Sequence, residues 1–166
     1  MEEEYNFVSA EEVDRDKLAE FLRNNFYKYE PVNLGFQAPP DRPIEAMKIL
    51  DFLKEGTSIA AVTTSGDIIG ADSSLYLHVI AVHQNALGKG IGKKLVKRSM
   101  EIAKSKGFPF IWAMCTSYYS AKICNLLGME CVFKKSYQEY KNEAGIAECL
   151  PPEPHNQIAI YVLKFN

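Results

Sequence analysis

Three glycines at every second position form the part of the sequence whose spacing most directly suggests chemistry. Gly88, Gly90 and Gly92 follow an apolar run rich in branched residues and precede a segment with apolar residues at helical spacing. Because glycine has no Cβ atom, several backbone N–H groups can turn toward one point. A strand that leads into such a turn at the N-terminus of a helix is a ready-made anion site. The sequence therefore predicts that this glycine turn binds an anion.

Two common nucleotide-binding motifs do not fit the glycine turn. Counted from Gly88, the dinucleotide pattern G-x-G-x-x-G requires glycine at the position of Lys93. The P-loop pattern G-x-x-x-x-G-K-[ST] requires glycine at the position of Leu87 and serine or threonine at that of Lys94. We therefore do not expect a nucleotide phosphate bound in either of these two ways.

A carboxylate and an imidazole are candidates for proton transfer. Glu30 lies at the predicted exit of the first helix, beside Pro31 and a proline-rich segment. On the predicted strand before the glycine turn, His78 shares a face with Tyr76 and Ile80 by the period of two. Imidazole titrates near neutrality, which suits a proton relay. The alternatives are a plain exposed carboxylate and a hydrogen-bonded core histidine.

Hydrophobic periodicity and turn residues predict the elements that position these side chains. Helices are predicted over residues 10–29 and 44–54, from 91 to a stop at Gly107, and from 116 or 117 to a stop at Gly128. Strands are predicted over residues 5–8, 58–64, 67–71, 77–82, 108–115, 131–137 and 158–165. The segment from Pro31 to Pro43 is expected to lack regular structure. This order indicates a mixed α/β sheet rather than a doubly wound fold.

Composition and charge narrow the class of protein. The 166 residues are 47% hydrophobic, enough for a single domain over residues 1–166 to bury a core. A net charge of −2 argues against nucleic acid as the main partner, because neutralising phosphates requires clustered excess cations. With no stretch long enough to span a membrane and no apolar signal region, we expect a cytoplasmic protein, monomeric or weakly dimeric. The four cysteines form no C-x-x-C pair and are expected to be reduced thiols.

The segment VHQNALGKGIGKKL resembles the acetyl-CoA signature of the Gcn5-related N-acetyltransferase (GNAT) superfamily. That signature is [Arg/Gln]-x-x-Gly-x-[Gly/Ala], between the fourth strand and the third helix, and its backbone N–H groups hold the coenzyme pyrophosphate. Gly90 and Gly92 match the signature, whereas Leu87 stands where Arg or Gln is usual. The resemblance implies the GNAT fold, a mixed, mostly antiparallel seven-stranded sheet with about four helices, splayed between strands 4 and 5.

Several segments are similar to the arylalkylamine N-acetyltransferases of insects, which include dopamine-, agmatine- and polyamine-directed members. These segments are LHVIAVHQNALGKGIGKKLV, CTSYYSAKICNLLGMECVF and PPEPH, together with EPVN, which resembles the Glu-Pro-Leu-Asn that carries the catalytic base of that group. The resemblance implies acetyl transfer from acetyl-CoA, without a metal, to the primary amine of a small biogenic amine. Relatives have a longer connection than IIGADSSLYL, so either this loop is trimmed or residues between about 70 and 75 are missing.

The resemblance also implies roles for individual residues. The expected catalytic residues are Glu30 as base, His78, Ser117 and Ser120. The two serines, with Tyr119 as a further substitute, are candidates to protonate the departing thiolate, because Cys124 stands where relatives usually have tyrosine. Coenzyme contacts are expected from Ile80, Ala81, Val82, Leu87, Gly88, Lys89, Gly90, Ile91, Gly92, Lys93, Tyr119 and Lys122, and amine contacts from Phe36, Tyr118 and His155.

The sequence leaves three questions open. The amine is an arylalkylamine such as dopamine, tyramine or serotonin, or instead agmatine or a polyamine. Leu87 and Cys124 are also compatible with a catalytically silent, regulatory CoA-binding module. Finally, Ser117 has an alternative interpretation as a helix cap and Ser120 as a small packing residue.

Overall fold

The computed structural model describes residues 4–37, 56–72, 76–77 and 79–165, which form two sheets and four α-helices. The helices are α1 (Arg15–Leu22), α2 (Pro31–Gly35), α3 (Ile91–Ser105) and α4 (Tyr118–Leu126). The strands are β1 (Tyr5–Ser9), β2 (Ile59–Thr63), β3 (Ile68–Asp72), β4 (Tyr76–Leu77), β5 (Ile80–Val82), β6 (Phe110–Cys115), β7 (Glu130–Ser136) and β8 (Gln157–Lys164). The predicted mixed α/β class is confirmed.

The fourth predicted strand is divided between the two sheets, which have the orders β1-β2-β3-β5 and β4-β6-β8-β7. Its first part, β4, pairs in parallel with β6, and its second part, β5, pairs antiparallel with β3. The other ladders between the described strands are antiparallel. The seven predicted strands therefore become eight, and the sheets separate at the expected splay between the fourth and fifth predicted strands.

Helices cover both faces of the first sheet. On one face, Leu18 and Phe21 of α1 pack against Ala71 and Ala81. On the other face, α3 contributes Ile91 and Leu95 to a cluster with residues of β2 and β3, among them Ile59, Ala61 and Ile69. The second half of α3 packs with α4 and β6, so α3 lies across the junction of the two sheets. The N-terminus of α3 is thereby held beside the splay.

The predicted continuous first helix, residues 10–29, is wrong in its boundaries. A 3₁₀ turn at Ala10–Glu12 comes first, then α1, then a π-helical turn at Arg23–Tyr27. The reason is a second N-cap, because the Asp14 carboxylate accepts hydrogen bonds from the N–H groups of Asp16 and Lys17 and restarts the helix there.

The prediction of irregular structure from Pro31 onward is also wrong, because α2 begins at that proline. Proline is well suited to the first position of a helix, where its missing N–H would have no helical partner. The Glu30 side chain caps this helix. The predicted helix over residues 44–54 lies outside the described residues.

Boundaries in the C-terminal half agree with the sequence. Helix α4 starts after its predicted cap, Ser117, and ends before Gly128, which has a φ of +78°. All four cysteines are free thiols, as expected; Cys115, Cys124 and Cys149 are buried, and Cys131 is exposed. Within the described ranges, no helix is long and apolar enough to cross a membrane.

Candidate active site

The glycine turn lies at the N-terminus of α3, with open space around Gly88 and Gly90. Gly88 and Gly90 have φ angles of +77° and +74°, and a Cβ atom at either position would meet nothing within 4 Å. Gly90 is the N-cap residue of α3 and makes no side-chain hydrogen bond to the first helical turn. The N–H groups of that turn therefore remain available to an anion at the positive end of the helix dipole. This arrangement fits the pyrophosphate of acetyl-CoA.

The predicted coenzyme contacts around the turn divide into exposed and structural residues. Leu87 is 64% exposed, and Lys89 and Lys93 are exposed, so all three are accessible to a ligand. In contrast, the Ile91 side chain is buried in the core, and a Cβ atom on Gly92 would lie 3.1 Å from Ile123 Cδ1. Gly92 thus lets α3 approach α4 closely, and any contact of Ile91 or Gly92 with the coenzyme would come from their backbone N–H groups.

The free edge of β5 supplies backbone donors next to the turn. Ala81 pairs with Ala71, and the His83 N–H donates to the Ile69 carbonyl at 2.9 Å, so these two residues direct their amides toward β3. Because amides alternate along a strand, those of Ile80 and Val82 point to the opposite edge, where no described strand pairs. An N–H group fixed at such an edge can stabilise an oxyanion. His78 lies outside the described residues.

The two candidate serines meet at the start of α4. Ser117 caps this helix, since its Oγ accepts the Ser120 N–H at 3.0 Å. The two hydroxyl oxygens are 2.9 Å apart, and Ser120 Oγ also lies 3.0 Å from the Ser117 carbonyl oxygen, to which it donates. The capping interpretation of Ser117 therefore holds, and it also places both hydroxyls in one hydrogen-bonded pair. Tyr119 and Lys122, on the same helix, are exposed.

A buried thiol pair lies under these serines. Cys115 Sγ and Cys124 Sγ are 3.6 Å apart, and both residues are almost fully buried. The hydrogen bond from Cys124 lowers the pKa of Cys115 despite burial, and a hydrogen bond from Ser120 acts in the same direction. The hydrogen bond to Cys115 and burial both raise the pKa of Cys124. Cys124 therefore belongs to the core, and no sequence pattern indicates that Cys115 contacts Ser120.

Glu30 is a buried carboxylate, which excludes the alternative of a plain exposed one. It is 9% exposed, and its Oε2 accepts the Asn33 N–H at 2.8 Å. Burial raises the pKa values of Tyr137 and Cys149, and the charge of Glu30 raises both further. Glu30 therefore lies beside the segment that connects β7 to β8. A Cβ atom on Gly35 would lie 2.6 Å from Cys149 Sγ, which shows how closely α2 packs there.

His155 reaches the start of α4 from the same connecting segment. Its Nδ1 accepts the Tyr118 N–H at 3.2 Å, and its ring packs edge-on against Tyr119. Burial lowers the pKa of His155, while the charges of Glu30 and Glu153 oppose this effect. Histidine in this position is therefore neutral when it accepts the N–H group, which leaves its Nε2–H as a donor.

Protonation of His155 should weaken the fold in acid. Because its folded-state pKa lies below the ordinary value of 6.5, its contribution to stability is present above pH 6.5 and is lost as pH falls through the folded-state pKa. We expect wild type to lose more thermal stability between pH 7.5 and pH 5.5 than His155→Gln. Unfolding midpoints at pH 7.5, 6.5 and 5.5 check this, and parallel curves for the two proteins would contradict it.

The structure brings Glu30, His155, Ser117, Ser120 and Tyr118 to one end of the second sheet. Phe36, the other predicted amine contact, packs edge-on against Tyr140 at a centroid distance of 6.0 Å, and its role stays a prediction. Sequence reasoning missed three neighbours of the site: Cys115, Tyr137 and Cys149. The capping-box spacing of Ser136 and Glu139 could have located the turn that carries Tyr137, but not its partner across the site.

This arrangement can support acyl transfer. It combines a buried carboxylate as a base, strand amides at an open edge for an oxyanion, and hydroxyls for a leaving group. The glycine turn adds an anchor for an anionic carrier of the acyl group. Among the described residues, no group of three or more histidine, cysteine or acidic side chains could hold a metal ion.

Solved structures with the same fold include insect acetyltransferases. The chain is similar to arylalkylamine N-acetyltransferase 2 from Aedes aegypti, with a TM-score of 0.88 and 21% identity over 100% of both chains. It is also similar to a polyamine N-acetyltransferase from Drosophila melanogaster that forms N-acetylagmatine, with a TM-score of 0.83, 19% identity and coverage of 98% of this chain and 100% of that one. At these identities the similarity shows the fold alone.

Family membership follows from the sequence itself. The sequence profile of the "Acetyltransferase (GNAT) family" matches residues 18–127, which include Glu30, the glycine turn and α4. Enzymes of this family use acetyl-CoA, in agreement with the anion site at α3. The match also supports an acyltransferase over the silent CoA-binding module. The chain belongs to the acetyltransferase (GNAT) family.

Proposed function

We propose that this protein transfers the acetyl group of acetyl-CoA to the primary amine of a small arylalkylamine such as dopamine, tyramine or serotonin. The observation that carries the proposal is the burial of the Glu30 carboxylate, 9% exposed, beside His155 and the start of α4. A buried carboxylate without an ion-pairing partner in the described residues attracts an ammonium group and can then accept its proton.

Glu30 acts as the base in this proposal. A biogenic amine is mostly protonated at neutral pH, and an ammonium group has no lone pair with which to attack a thioester. Glu30 takes one proton from the ammonium, directly or through a water molecule, and the neutral nitrogen attacks the acetyl carbonyl carbon in a ternary complex. The helix cap to Asn33 holds one carboxylate oxygen in place, at 2.8 Å, and leaves Oε1 for the amine.

The strand edge and α4 complete the transfer. The thioester oxygen gains negative charge, which the N–H groups at the free edge of β5 stabilise. As the carbon–sulfur bond breaks, the attacking nitrogen releases its second proton to water, which leaves a neutral amide. The thiolate of CoA takes a proton from the Ser117–Ser120 hydroxyl pair. This pair is replenished from solvent, because both serines are only partly buried.

Aromatic side chains at the mouth of the site favour an arylalkylamine. Tyr118 and Tyr119 are 46% and 59% exposed, and His155 packs against the second of them. Such rings offer a flat apolar surface to an aryl group, and Tyr faces also attract cations. His155 contributes a ring N–H that can bind a hydroxyl on the aryl group.

Agmatine or a polyamine is the second candidate for the acceptor. Glu153 lies close enough to His155 to act on its pKa, which places a second negative charge near the site. This charge would suit the distal cationic group of agmatine or spermidine. The similarity to the Drosophila melanogaster enzyme that forms N-acetylagmatine supports the same candidate.

An acceptor panel tests the proposal. Purified protein is mixed with acetyl-CoA and tyramine, dopamine, serotonin, agmatine or spermidine, and both the released CoA and the acetylated amine are measured by mass spectrometry. We expect kcat/KM for at least one arylalkylamine to exceed that for agmatine and spermidine by about tenfold or more. Faster turnover of agmatine would favour the second candidate, and no acetylated amine from any acceptor would contradict both.

The single domain over residues 1–166, the cytoplasmic location and the monomeric or weakly dimeric state stay predictions from the sequence.

A further inference from the structure

We infer that Tyr137 is a positioning residue that holds the start of α4, with its Ser117–Ser120 pair, in register with Glu30. The inference rests on the proposed function, in which these groups handle the two protons of the reaction. Neither the family resemblance nor the sequence patterns point to this tyrosine. Its side chain lies between the two halves of the site and is 6% exposed.

One side of Tyr137 is fixed to the start of α4. Its hydroxyl donates to the Thr116 carbonyl at 2.8 Å. Thr116 lies between the end of β6 and Ser117, the cap of α4, so this hydrogen bond holds the peptide group from which the helix begins. A shift of that peptide moves the Ser117–Ser120 pair with it.

The other side of Tyr137 faces Glu30. Burial raises the pKa of the phenol, and the negative charge of Glu30 raises it further. The phenol therefore stays protonated at the pH of the reaction and continues to donate to Thr116.

The backbone of Tyr137 is held independently of its ring. Its N–H donates to the Asn156 carbonyl at 3.1 Å, next to His155. A complete capping box between Ser136 and Glu139 fixes the turn in which Tyr137 lies. Loss of the hydroxyl should therefore leave the ring in place and free only α4. This expectation makes phenylalanine the informative replacement.

A small displacement of α4 is enough to reduce turnover. Reacting groups must stay within about 1 Å of their productive positions, and such a misplacement can cost about 10²-fold in rate. Tyr137 lies on the segment between β7 and β8, whereas the glycine turn expected to hold acetyl-CoA lies between β5 and α3. Loss of Tyr137 should thus appear in kcat and not in coenzyme affinity.

The test compares Tyr137→Phe with two matched controls. Tyr140→Phe removes a hydroxyl from the same segment at a 49% exposed position, and Ser99→Ala removes a buried hydroxyl that donates to Asp72 at 2.6 Å, away from the site. For Tyr137→Phe we expect kcat with the best amine to fall about tenfold. This factor should be the same at every pH from 6.5 to 9. KM for acetyl-CoA should stay within about twofold of wild type. Both controls should keep wild-type kcat, and Ser99→Ala should be at least as destabilised as Tyr137→Phe.

Hydrogen exchange gives a readout that does not depend on activity. Amides of residues 117–121 should exchange faster in Tyr137→Phe than in wild type or Tyr140→Phe, while amides of 91–96 in α3 should be unchanged. The inference would be overturned by unchanged exchange at α4 or by wild-type kcat in Tyr137→Phe. It would also be overturned if the loss of kcat followed the loss of thermal stability across all three variants. Faster exchange at α4 in a protein that acetylates none of the amines would instead contradict the proposed function alone.

Discussion

Replacement of Glu30 by glutamine is expected to lower kcat by about 10²- to 10⁴-fold, the range that a positioned general base contributes. The substitution removes the charge and the ability to accept a proton but keeps the shape of the side chain. Its amide oxygen can still accept the Asn33 N–H, so α2 keeps its cap. KM for acetyl-CoA should stay within about twofold of wild type, because the glycine turn is untouched.

The pH dependence of Glu30→Gln distinguishes a lost base from a damaged site. Without the base, turnover depends on the neutral amine already present in solution. The residual rate should therefore rise about tenfold per pH unit toward the amine pKa, near 10 for an alkylamine. Steady-state rates from pH 6.5 to 9.5 check this. Glu148→Gln is the control, since this glutamate is exposed on the same connecting segment as His155 and should behave as wild type.

Two results would contradict the role of Glu30. Wild-type turnover in Glu30→Gln would exclude it as the base. A variant with low turnover but a pH profile parallel to wild type would indicate that the site had been distorted and that the proton is taken elsewhere. CoA binding measured by calorimetry on the same preparations shows that the variant is folded.

Local features of the site are predictable from the sequence because neighbouring residues determine them. The glycine turn depends on backbone angles that its own glycines adopt, and the cap of α4 depends on Ser117 and the residues just after it. The helix that begins at Pro31 is equally local, but a prediction that treats proline only as a helix breaker misses its preference for the first helical position.

Other features require the three-dimensional fold. Tyr137 contacts Thr116 across 21 positions of the sequence, and Glu30 is buried by a segment more than 100 residues away. The division of the fourth predicted strand between two sheets depends on its pairing partners, because β6 pairs with its first part and β3 with its second. Periodicity describes the faces of a strand but not its partners, so neither burial of Glu30 nor the strand division could be read from it.

Replacement of Gly90 by valine is expected to raise the Kd for CoA and KM for acetyl-CoA by about 10- to 100-fold. A β-branched residue is strongly disfavoured at a φ of +74°, so the turn must change its backbone and redirect the N–H groups at the start of α3. A hydrogen bond to a charged group contributes about 1.5–3 kcal/mol, and loss of one such bond to the pyrophosphate corresponds to that range.

Gly107→Val is the matched control for this prediction. Gly107 follows the other end of α3, with a φ of +76°, and a Cβ atom there, as at Gly90, would meet nothing within 4 Å. Both substitutions therefore impose the same backbone strain on the same helix, and we expect similar losses of thermal stability. Only Gly90→Val should weaken CoA binding in calorimetry. Wild-type affinity in both variants would mean that the amides of the glycine turn do not hold the coenzyme. An equal loss of affinity in both would attribute the effect to α3 as a whole.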